Sequence, residues 1–471
     1  MAGRTLITNH EDLNFAVAGG ANSVVALSET DLYSSLAIQD SVKSHHFEPF
    51  YPTTGSLLDS SPDITFNVGP SMHLTCLADS FLEIDISLVK GPTKAKVVAA
   101  DKAVPANFAS IAWVKDLNVF ISGKPVTSSF GNFLHEAYLK VITETSSDSI
   151  RKWIIAGLTA QVLQTQLDPA LKEGDSELKA RFGKFDVGQV QKLYCPILSP
   201  SCSQMRFYPS LVDFKFVFVK NDKNLRFTCP LDKTDDFDLK IHSCRLHIKR
   251  IELYPEKLSE LENKLSSSIP ALYYIKNQYV RTFAIEKGLT EKRISNILLT
   301  EYLPSWCVVG LLEQKDLKGH RNASNFNFQC FHLNSMYLKS GAETWPSPEP
   351  FKPKIGVNSA DSQFAREFFS LFGNSPGLSL KTDSGSWLEL DNFLTGFALF
   401  KFHFNRLGDS YLSAESYRDM RKPASQLDLY LTFDNPLPEN VSVVVFSSYL
   451  EQFSICKTER ALRDVELQYS L

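Results

Sequence analysis

The chain has 471 residues, of which 43% are hydrophobic and 22% charged, a balance typical of globular proteins with a large buried core. Its length predicts two or three domains, and its 34 phenylalanines favour a β-rich fold because Phe suits pleated, half-buried surfaces. The net charge of −4 argues against duplex nucleic acid as a main partner, since such binding needs a concentrated basic face.

The eight cysteines predict reduced thiols in an intracellular compartment. No two of them have the spacing of a zinc ribbon or a redox motif, and they are sparse for a disulfide scaffold. Cys195 and Cys202 are close enough in sequence to close a small loop, although two unpaired thiols are the favoured interpretation. The N-terminus lacks the residue succession of a secretory signal, and no apolar run has the length of a transmembrane helix.

In chain order, residues 1–55 are weakly patterned and predict an N-terminal arm that is extended or disordered until it meets a partner. Alternation of apolar and polar residues then predicts strands. The clearest run covers 82–88, where Leu and Ile alternate with Glu, Asp and Ser. The other strands predicted in the first half lie at 64–68, 117–121, 192–198, 211–219 and 239–254.

Two helices are predicted between these strands. Apolar residues recur at helical spacing from Phe133 to Ile142, with Asn132 at the N-cap position, and a second helical pattern covers 150–158. A polar excursion follows at 165–190. Excursions of this length in a β domain are often binding or exposed loops.

A third helix, over 255–265, has its leucines on one face and marks the boundary between two halves. In the second half, the chain closes with alternating runs at 400–404, 427–433 and 441–446, which we interpret as three sequential strands of one antiparallel sheet. The remaining elements predicted there are strands at 278–285, 306–312 and 331–338, a rigid extended loop at 344–350, and a Phe-rich helix ended by Gly373.

The second half repeats the pattern of the first at the scale of a domain. Residues 210–218 parallel residues 425–433, so that Asp213 corresponds to Asp428 at a spacing of 428 − 213 = 215 residues. Such agreement favours a duplicated domain over a long all-β chain without duplication. The other parallels at similar spacing are 65–68 with 282–285 and 117–123 with 333–341. The Phe133 helix parallels the helix at 364–372, but at an offset of 364 − 133 = 231 residues, which implies an insertion.

Each half therefore contains about eight short strands and one or two helices. Two sheets of a sandwich bury such alternating faces against each other, and eight strands wound as two Greek keys form a jelly roll. We predict an all-β fold with minor helices, a tandem double jelly-roll of two eight-stranded antiparallel β-sandwiches. The predicted parts are an arm at 1–55, a first jelly roll at 56–255 with a helical excursion near 130–190, and a second jelly roll at 256–471 that begins with a linker helix.

No residue is predicted to be catalytic, to bind a cofactor or to hold a metal. The sequence has no Gly-x-Ser-x-Gly elbow, phosphate-binding glycine loop or His-Glu-x-x-His. His242 and His247 flank Cys244 on a strand, but their odd separation predicts opposite faces, which is wrong for shared metal ligation. Glu83 and Asp85 share the polar face of one strand, and a solvated face explains them better than an acid/base pair.

Six segments carry a resemblance to a known family, in matching order and spacing. They are residues 61–68 (SPDITFNV), 77–82 (LADSFL), 117–124 (LNVFISGK), 281–285 (RTFAI), 395–402 (TGFALFKF) and 435–445 (NPLPENVSVVV). The last is the most specific. With these segments the chain resembles the double-jelly-roll major capsid proteins of Polinton (Maverick) elements and adintoviruses, and more distantly the adenovirus hexon.

The resemblance implies a structural virion protein that is not an enzyme and has no cofactor. It implies pseudo-hexameric homotrimers that tile the icosahedral capsid of a dsDNA virus or virus-like mobile element. The partners implied are neighbouring capsid trimers, penton and minor capsid proteins, without sequence-specific nucleic acid binding. Synthesis is expected in the host cytoplasm and assembly in the host nucleus.

On this hypothesis the excursions at 124–190 and 341–391 rise as an outer tower, while the arm contacts neighbouring trimers or the inner shell. Two alternatives remain: a carbohydrate-binding or receptor-binding jelly-roll protein, and a minor capsid or penton component. A lectin would be expected to show an exposed aromatic platform or calcium-binding carboxylates together with secretion. An enzyme on a β-sandwich has no nominated site.

Overall fold

The computed structural model describes residues 41–55, 58–98, 101, 103–127, 129–145, 147–159, 189–204, 206–229, 236–267, 269–321, 324–347, 349–354, 363–371, 388, 390, 393–394, 396–404, 423–457 and 465–469. Residues 165–188 of the predicted excursion, and residues 372 and 373 at the end of the predicted Phe-rich helix, lie outside these ranges. Within the described ranges, no helix is long and apolar enough to cross a membrane.

The first half forms two facing antiparallel sheets. Its strands are β1 (Val42–Phe50), β2 (Asp63–Val68), β3 (Leu74–Lys90), β4 (Ala95–Lys96), β5 (Val104–Pro105), β6 (Val114–Ile121), β7 (Lys124–Thr127), β8 (Gln191–Pro196), β9 (Phe214–Lys220), β10 (Phe227–Thr228) and β11 (Phe237–Leu253). The large sheet has the order β1-β11-β3, with β8 and the short β4 both paired to β3. The small sheet has the order β2-β9-β6-β7.

The second half repeats this arrangement. Its strands are β12 (Ala271–Ile285), β13 (Glu291–Ile294), β14 (Trp306–Glu313), β15 (Leu333–Ser340), β16 (Glu343–Trp345), β17 (Leu399–His403), β18 (Asp428–Phe433), β19 (Val441–Lys457) and β20 (Val465–Tyr469). The large sheet has the order β12-β19-β14-β17, with β20 added beside β19. The small sheet has the order β13-β18-β15-β16.

The two halves have the same topology. Strand by strand, β1, β11, β3 and β8 correspond to β12, β19, β14 and β17, and β2, β9, β6 and β7 correspond to β13, β18, β15 and β16. In each half eight strands alternate between the sheets as two Greek keys, which is the jelly-roll arrangement. The predicted all-β fold of two tandem eight-stranded jelly rolls is therefore confirmed.

Large apolar side chains fill the space between the paired sheets. In the first roll Phe66 and Phe216 are opposite each other on β2 and β9, and both are fully buried, as is Trp113. In the second roll Phe400 and Phe402, on one face of β17, are at most 1% exposed. Each such side chain stabilises the fold by roughly 1.5–3 kcal/mol through burial, which explains why alternation of Phe, Leu and Val along the sequence predicts the strands.

The structure corrects part of the predicted repeat. The stretches beginning at Leu117 and Leu333 are indeed equivalent, in β6 and β15. Asp213 immediately precedes β9, and Asp428 is the first residue of β18. The segment at 65–68, however, lies in the small-sheet strand β2, whereas 282–285 lies in the large-sheet strand β12. That pairing was wrong, because short Thr-Phe segments suit an edge strand of either sheet.

The interpretation of the three closing strands also needs correction. The three runs are strands, but β17 and β19 both pair with β14 in the large sheet, while β18 pairs with β13 and β15 in the small sheet. The proline-containing segment after β18 therefore crosses between sheets. Alternation indicates that one face of a strand is buried. Strands of both sheets of a sandwich show this pattern, so it does not identify the sheet to which a strand belongs.

The predicted arm at 1–55 ends in a strand. Residues 1–40 lie outside the described part of the chain, but Val42–Phe50 forms β1, the edge strand beside β11. Polar contacts hold it: Arg250 Nε donates to Glu48 Oε2 at 2.9 Å, and Lys43 Nζ lies 2.6 Å from Glu252 Oε1. Because these contacts are polar, the apolar pattern that signals a strand is weak here.

The helices are α1 (Phe133–Glu144), α2 (Ser147–Ile150), α3 (Pro255–Ser266), α4 (Gln314–Leu317) and α5 (Ala365–Ser370), and a 3-10 segment (Arg151–Ala156) follows α2. The helix predicted over 255–265 is confirmed as α3, which joins the end of β11 to the start of β12. The side chain of Asn132 does not cap α1; its Nδ2 donates to the Val280 carbonyl oxygen at 3.2 Å.

Candidate assembly surface

The structure places α1, which lies in the predicted helical excursion, at the junction of the two jelly rolls. The helix packs on β6 of the first roll and on β12 of the second, and it is buried on nearly all sides. Tyr138 stacks on Phe326 with ring centroids 3.8 Å apart, and His135 Nε2 lies 3.1 Å from the Asn325 carbonyl oxygen. Helix α1 therefore joins the two rolls.

A small cavity of about 10 Å³ lies in this junction. Glu136, Asn277 and Gln278 line it, each at most 3% exposed. One side-chain oxygen of each of the three has no hydrogen-bond partner. Burial raises the pKa of Glu136 well above its usual value, with the Asp116 charge adding to the effect. The junction thus contains a carboxyl group that is costly to ionise.

The outer face of the first roll's large sheet presents a row of aromatic rings drawn from four strands. Phe81 is at its centre, stacked on His247 with centroids 4.8 Å apart. Phe47 lies 5.5 Å from Phe81 on one side, and Tyr194 lies 5.9 Å from it on the other. The Arg245 guanidinium lies 5.8 Å from the ring of Tyr51. We call Phe47, Tyr51, Phe81, Tyr194 and His247 the aromatic face.

Much of the aromatic face is open to solvent. Phe47 is 44% exposed, Tyr51 64% and Tyr194 37%. Aromatic residues and Arg are enriched where proteins contact one another, because they bury a large area with few rotatable bonds. Contiguous exposed apolar surface of this kind marks interaction sites. The arrangement is therefore suited to binding another protein surface.

Glu83 forms the charged centre of this face, and the structure corrects its predicted solvated environment. It is only 6% exposed, with Lys192 Nζ at 2.9 Å, His247 Nε2 at 2.8 Å and Arg245 Nη1 at 3.7 Å from its carboxylate. The hydrogen bond from Lys192 holds the pKa of Glu83 below its usual value. Asp85 accepts a hydrogen bond from Ser243 Oγ at 2.6 Å. The two carboxylates are structural partners in the sheet.

The prediction that His242 and His247 face opposite sides is wrong. The register of β11 against β3 shifts between Ile241 and Ser243, so His242 is the extra residue of a β-bulge. The bulge reverses the alternation, and His242 lies on the outer face, 2.8 Å from Ser87 Oγ. Five residues of strand still separate the two imidazoles by about 16 Å, so they do not share a ligand.

No cluster of three or more His, Cys, Asp or Glu side chains in the described part of the chain is arranged to hold a metal ion. All eight cysteines are free and buried, Cys195 and Cys202 included. Burial raises the pKa of each of these two thiols to about 12. Their thiolate forms are therefore suppressed, and the small disulfide loop is not formed.

The equivalent face of the second roll is covered from within the chain. Both faces of β14 are buried, as are both faces of β19 from Val441 to Tyr449. Helix α1 covers the β12 side of this face. The two rolls therefore differ in use: one large sheet joins the halves, and the other carries the aromatic face.

Sequence reasoning missed the aromatic face for a definable reason. Phe47 was assigned to the arm, and Tyr194 was taken only as part of a strand. The usable signal was Phe81. It alternates in step with Glu83 and Asp85, so it points to the outer side of a strand whose inward side chains are already apolar. A large aromatic at an outward position indicates contact with another surface.

No family model matches the chain, and no curated protein matches its sequence. Solved structures are similar to it in fold. A Sputnik virophage cryo-EM structure matches with a TM-score of 0.59 at 12% identity, over 95% of this chain and 93% of that chain. The Faustovirus major capsid protein matches with a TM-score of 0.53 at 7% identity, over 93% and 96% of the two chains.

PBCV-1 VP54, fitted into a reconstruction of the virophage Sputnik, matches with a TM-score of 0.50 at 9% identity, over 93% of this chain and 100% of that chain. At such identities the likeness concerns the fold. The matches extend over both rolls, in agreement with the strand order of the two halves. The chain adopts the double-jelly-roll fold of these viral structures.

Proposed function

We propose that this chain is a major capsid protein, a structural subunit of the shell of a dsDNA virus or virus-like mobile element. The observation that carries the proposal is the repetition of one strand order in both halves. The similarity in fold to the Faustovirus major capsid protein and to the Sputnik structure supports it. Its role is to form contacts rather than to catalyse a reaction, and its location is the virion.

The duplication fits a homotrimer. Three copies of a chain with two similar rolls give a six-cornered footprint under threefold symmetry, and such a pseudo-hexamer packs closely in an icosahedral shell. Neighbouring trimers, penton proteins and minor capsid proteins are the partners this geometry calls for. Assembly follows synthesis in the host cytoplasm and takes place in the host nucleus.

The aromatic face serves in contacts between copies of the chain. Stable interfaces bury about 800 Å² per partner and place aromatic residues near their centre. In the described part of the chain, Phe47, Phe81 and Tyr194 stand on the large sheet of the first roll, where Phe47 and Tyr194 are 44% and 37% exposed. The six sequence segments that resemble Polinton and adintovirus capsid proteins support placing the chain in that lineage.

Negative-stain electron microscopy of the purified full-length chain tests this proposal. We expect particles with a pseudo-hexagonal outline and six lobes, alone or tiled into shells. Glycan-array binding that requires Ca²⁺ would instead support a carbohydrate-binding protein. Uniform two-lobed particles at micromolar concentration would contradict the capsid proposal, because a shell subunit of this design has to associate.

A further inference from the structure

Helix α3 carries an apolar stripe that the described part of the chain covers only in part: Leu258 packs on a small apolar cluster, whereas Leu261 is exposed. Leu258, Leu261 and Leu265 share one face, yet no residue of the helix is buried, and Leu261 is 45% exposed. An amphipathic helix is normally held by burial of such a stripe. A helix of 12 residues is marginal in water without that support, so a covering partner is needed.

The stripe forms one wall of a groove of about 280 Å³. Phe207 and Pro209 of the first roll and Leu272 at the start of β12 form the opposite side. Ile269 lines the groove as well and is 56% exposed. The lining is thus mainly apolar. Its charged side chains are Arg206, Glu262 and Lys264, of which Lys264 is paired with Glu260 at 3.1 Å.

The chain enters the described region at one end of this groove. The Tyr254 amide, immediately before α3, donates to the Ser41 carbonyl oxygen at 3.3 Å. Val42 is paired with Leu253 and packs on the same small apolar cluster as Phe207 and Leu258, which line the groove. The residues just before Ser41 therefore begin beside the leucine stripe.

The residues just before Ser41 have side chains that suit the groove, and they are numerous enough to extend along it. Leu32, Tyr33, Leu36 and Ile38 supply apolar side chains, and Asp31 and Asp40 flank them with negative charge. Leu36 is five residues from Ser41, which allows a span of up to about 17 Å. Helix α3 is about 18 Å long at 1.5 Å per residue, so the segment can lie along the whole stripe.

We propose that residues 32–38 occupy the groove on their own chain, with Leu32 and Leu36 against the leucine stripe of α3. The segment then acts as a strap that fixes the linker helix to both jelly rolls. This docking does not depend on the proposed shell-building role.

Hydrogen exchange of the full-length chain, followed by mass spectrometry, tests the proposal. We expect amides at 32–38 to exchange at least tenfold more slowly than those at 18–23. Leu261→Gln with Leu265→Gln, which keeps good helix formers, should remove that protection. The matched control Leu299→Gln changes a leucine that is 42% exposed elsewhere and should leave it intact. Equal exchange at 32–38 and 18–23 in the unmodified protein would overturn the proposal.

A disulfide cross-linking experiment distinguishes docking of the segment on its own chain from docking on a second copy. In a Leu36→Cys, Leu261→Cys variant, mild oxidation should give a bond within one chain, seen as a faster monomer band without reductant. The eight native thiols are buried and do not compete. A band of twice the mass would assign the groove to the segment of a neighbouring copy, and absence of any cross-link would contradict docking. Unchanged exchange of β19 in each variant shows that the fold is intact.

Discussion

At the residue scale, two buried carboxyl groups have opposite effects on how stability depends on pH. Glu83 is surrounded by Lys192, His247 and Arg245, and its pKa is lowered. Glu136 lies between the rolls with one oxygen unpaired, and burial raises its pKa. The sequence shows both as ordinary acidic residues, because partners from distant strands and helices set their charge.

Glu83→Gln should reduce the free energy of unfolding by about 1 kcal/mol at pH 7, a modest value because the main partner Lys192 is half exposed. Because the pKa of Glu83 is lower in the folded than in the unfolded chain, its carboxylate stabilises the fold at pH values above the unfolded pKa, near 4.5. That stabilisation is lost as the pH falls through the folded pKa. Below pH 4.5 the free energy of unfolding should therefore fall less steeply in the variant than in the wild type, because the variant has no carboxylate at position 83 to protonate. Urea titrations from pH 3 to 7 measure this.

A matched control is Glu439→Gln, which removes an ion pair with Lys287 in which both side chains are about 60% exposed. Exposed pairs contribute little, so this change should stay within about 0.5 kcal/mol. If both variants behave alike at pH 7 and at pH 4, the charged centre of the aromatic face has no structural role.

Glu136→Gln should have the opposite effect at alkaline pH. Because the pKa of Glu136 is higher in the folded than in the unfolded chain, the residue does not destabilise the fold at pH values below the unfolded pKa, near 4.5. The loss of stability grows as the pH rises from there toward the folded pKa. The variant should match the wild type at pH 4.5 and exceed it by roughly 1–3 kcal/mol at pH 8.5. Thermal unfolding at the two pH values checks this, and a variant less stable at pH 8.5 would show that the ionised group has a partner.

At the scale of single elements, alternation predicted where strands lie but not which sheet they join. The runs that became β17, β18 and β19 look alike in sequence, yet β18 belongs to the small sheet. One inserted residue at His242 also reversed the faces predicted for β11. Both errors have the same origin: a period of two records burial, whereas sheet partners and bulges depend on contacts between distant strands.

Gly310 gives a test of packing against the outer face of β14. A Cβ at this position would lie 2.5 Å from Phe328 Cδ1 and 2.9 Å from Leu399 Cδ2. Gly310→Ala should therefore reduce the free energy of unfolding by about 1–3 kcal/mol through overpacking. Gly69→Ala is the matched control, because nothing lies within 4 Å of its Cβ position. Equal midpoints of the two variants in chemical denaturation would contradict the packing of β14.

At the scale of the whole molecule, duplication was visible in sequence because both rolls need the same buried positions. The β6 and β15 segments kept enough similarity to be paired, and so did the β9 and β18 segments. The differing use of the two large sheets was not visible. It depends on α1 covering β12 and on β1 completing the first sheet, and both are contacts between residues far apart in the chain.

The aromatic face should control association without controlling the fold. Phe47→Asp with Tyr194→Asp places charge on side chains that are 44% and 37% exposed, so the unfolding temperature should stay within a few degrees. Self-association at micromolar concentration should fall at least tenfold, measured by analytical ultracentrifugation. Val98→Asp, at 46% exposure outside the aromatic face, should leave it unchanged. Loss of association in the control as well would assign the contact to general surface charge.

The central claim is that two sibling jelly rolls in one chain build a threefold assembly with six corners. Native mass spectrometry of the full-length protein at micromolar concentration tests it most directly. The predicted result is a dominant species of three times the 52.9 kDa chain mass, together with larger multiples of that trimer. A single species of 52.9 kDa, with the fold intact by circular dichroism, would contradict it.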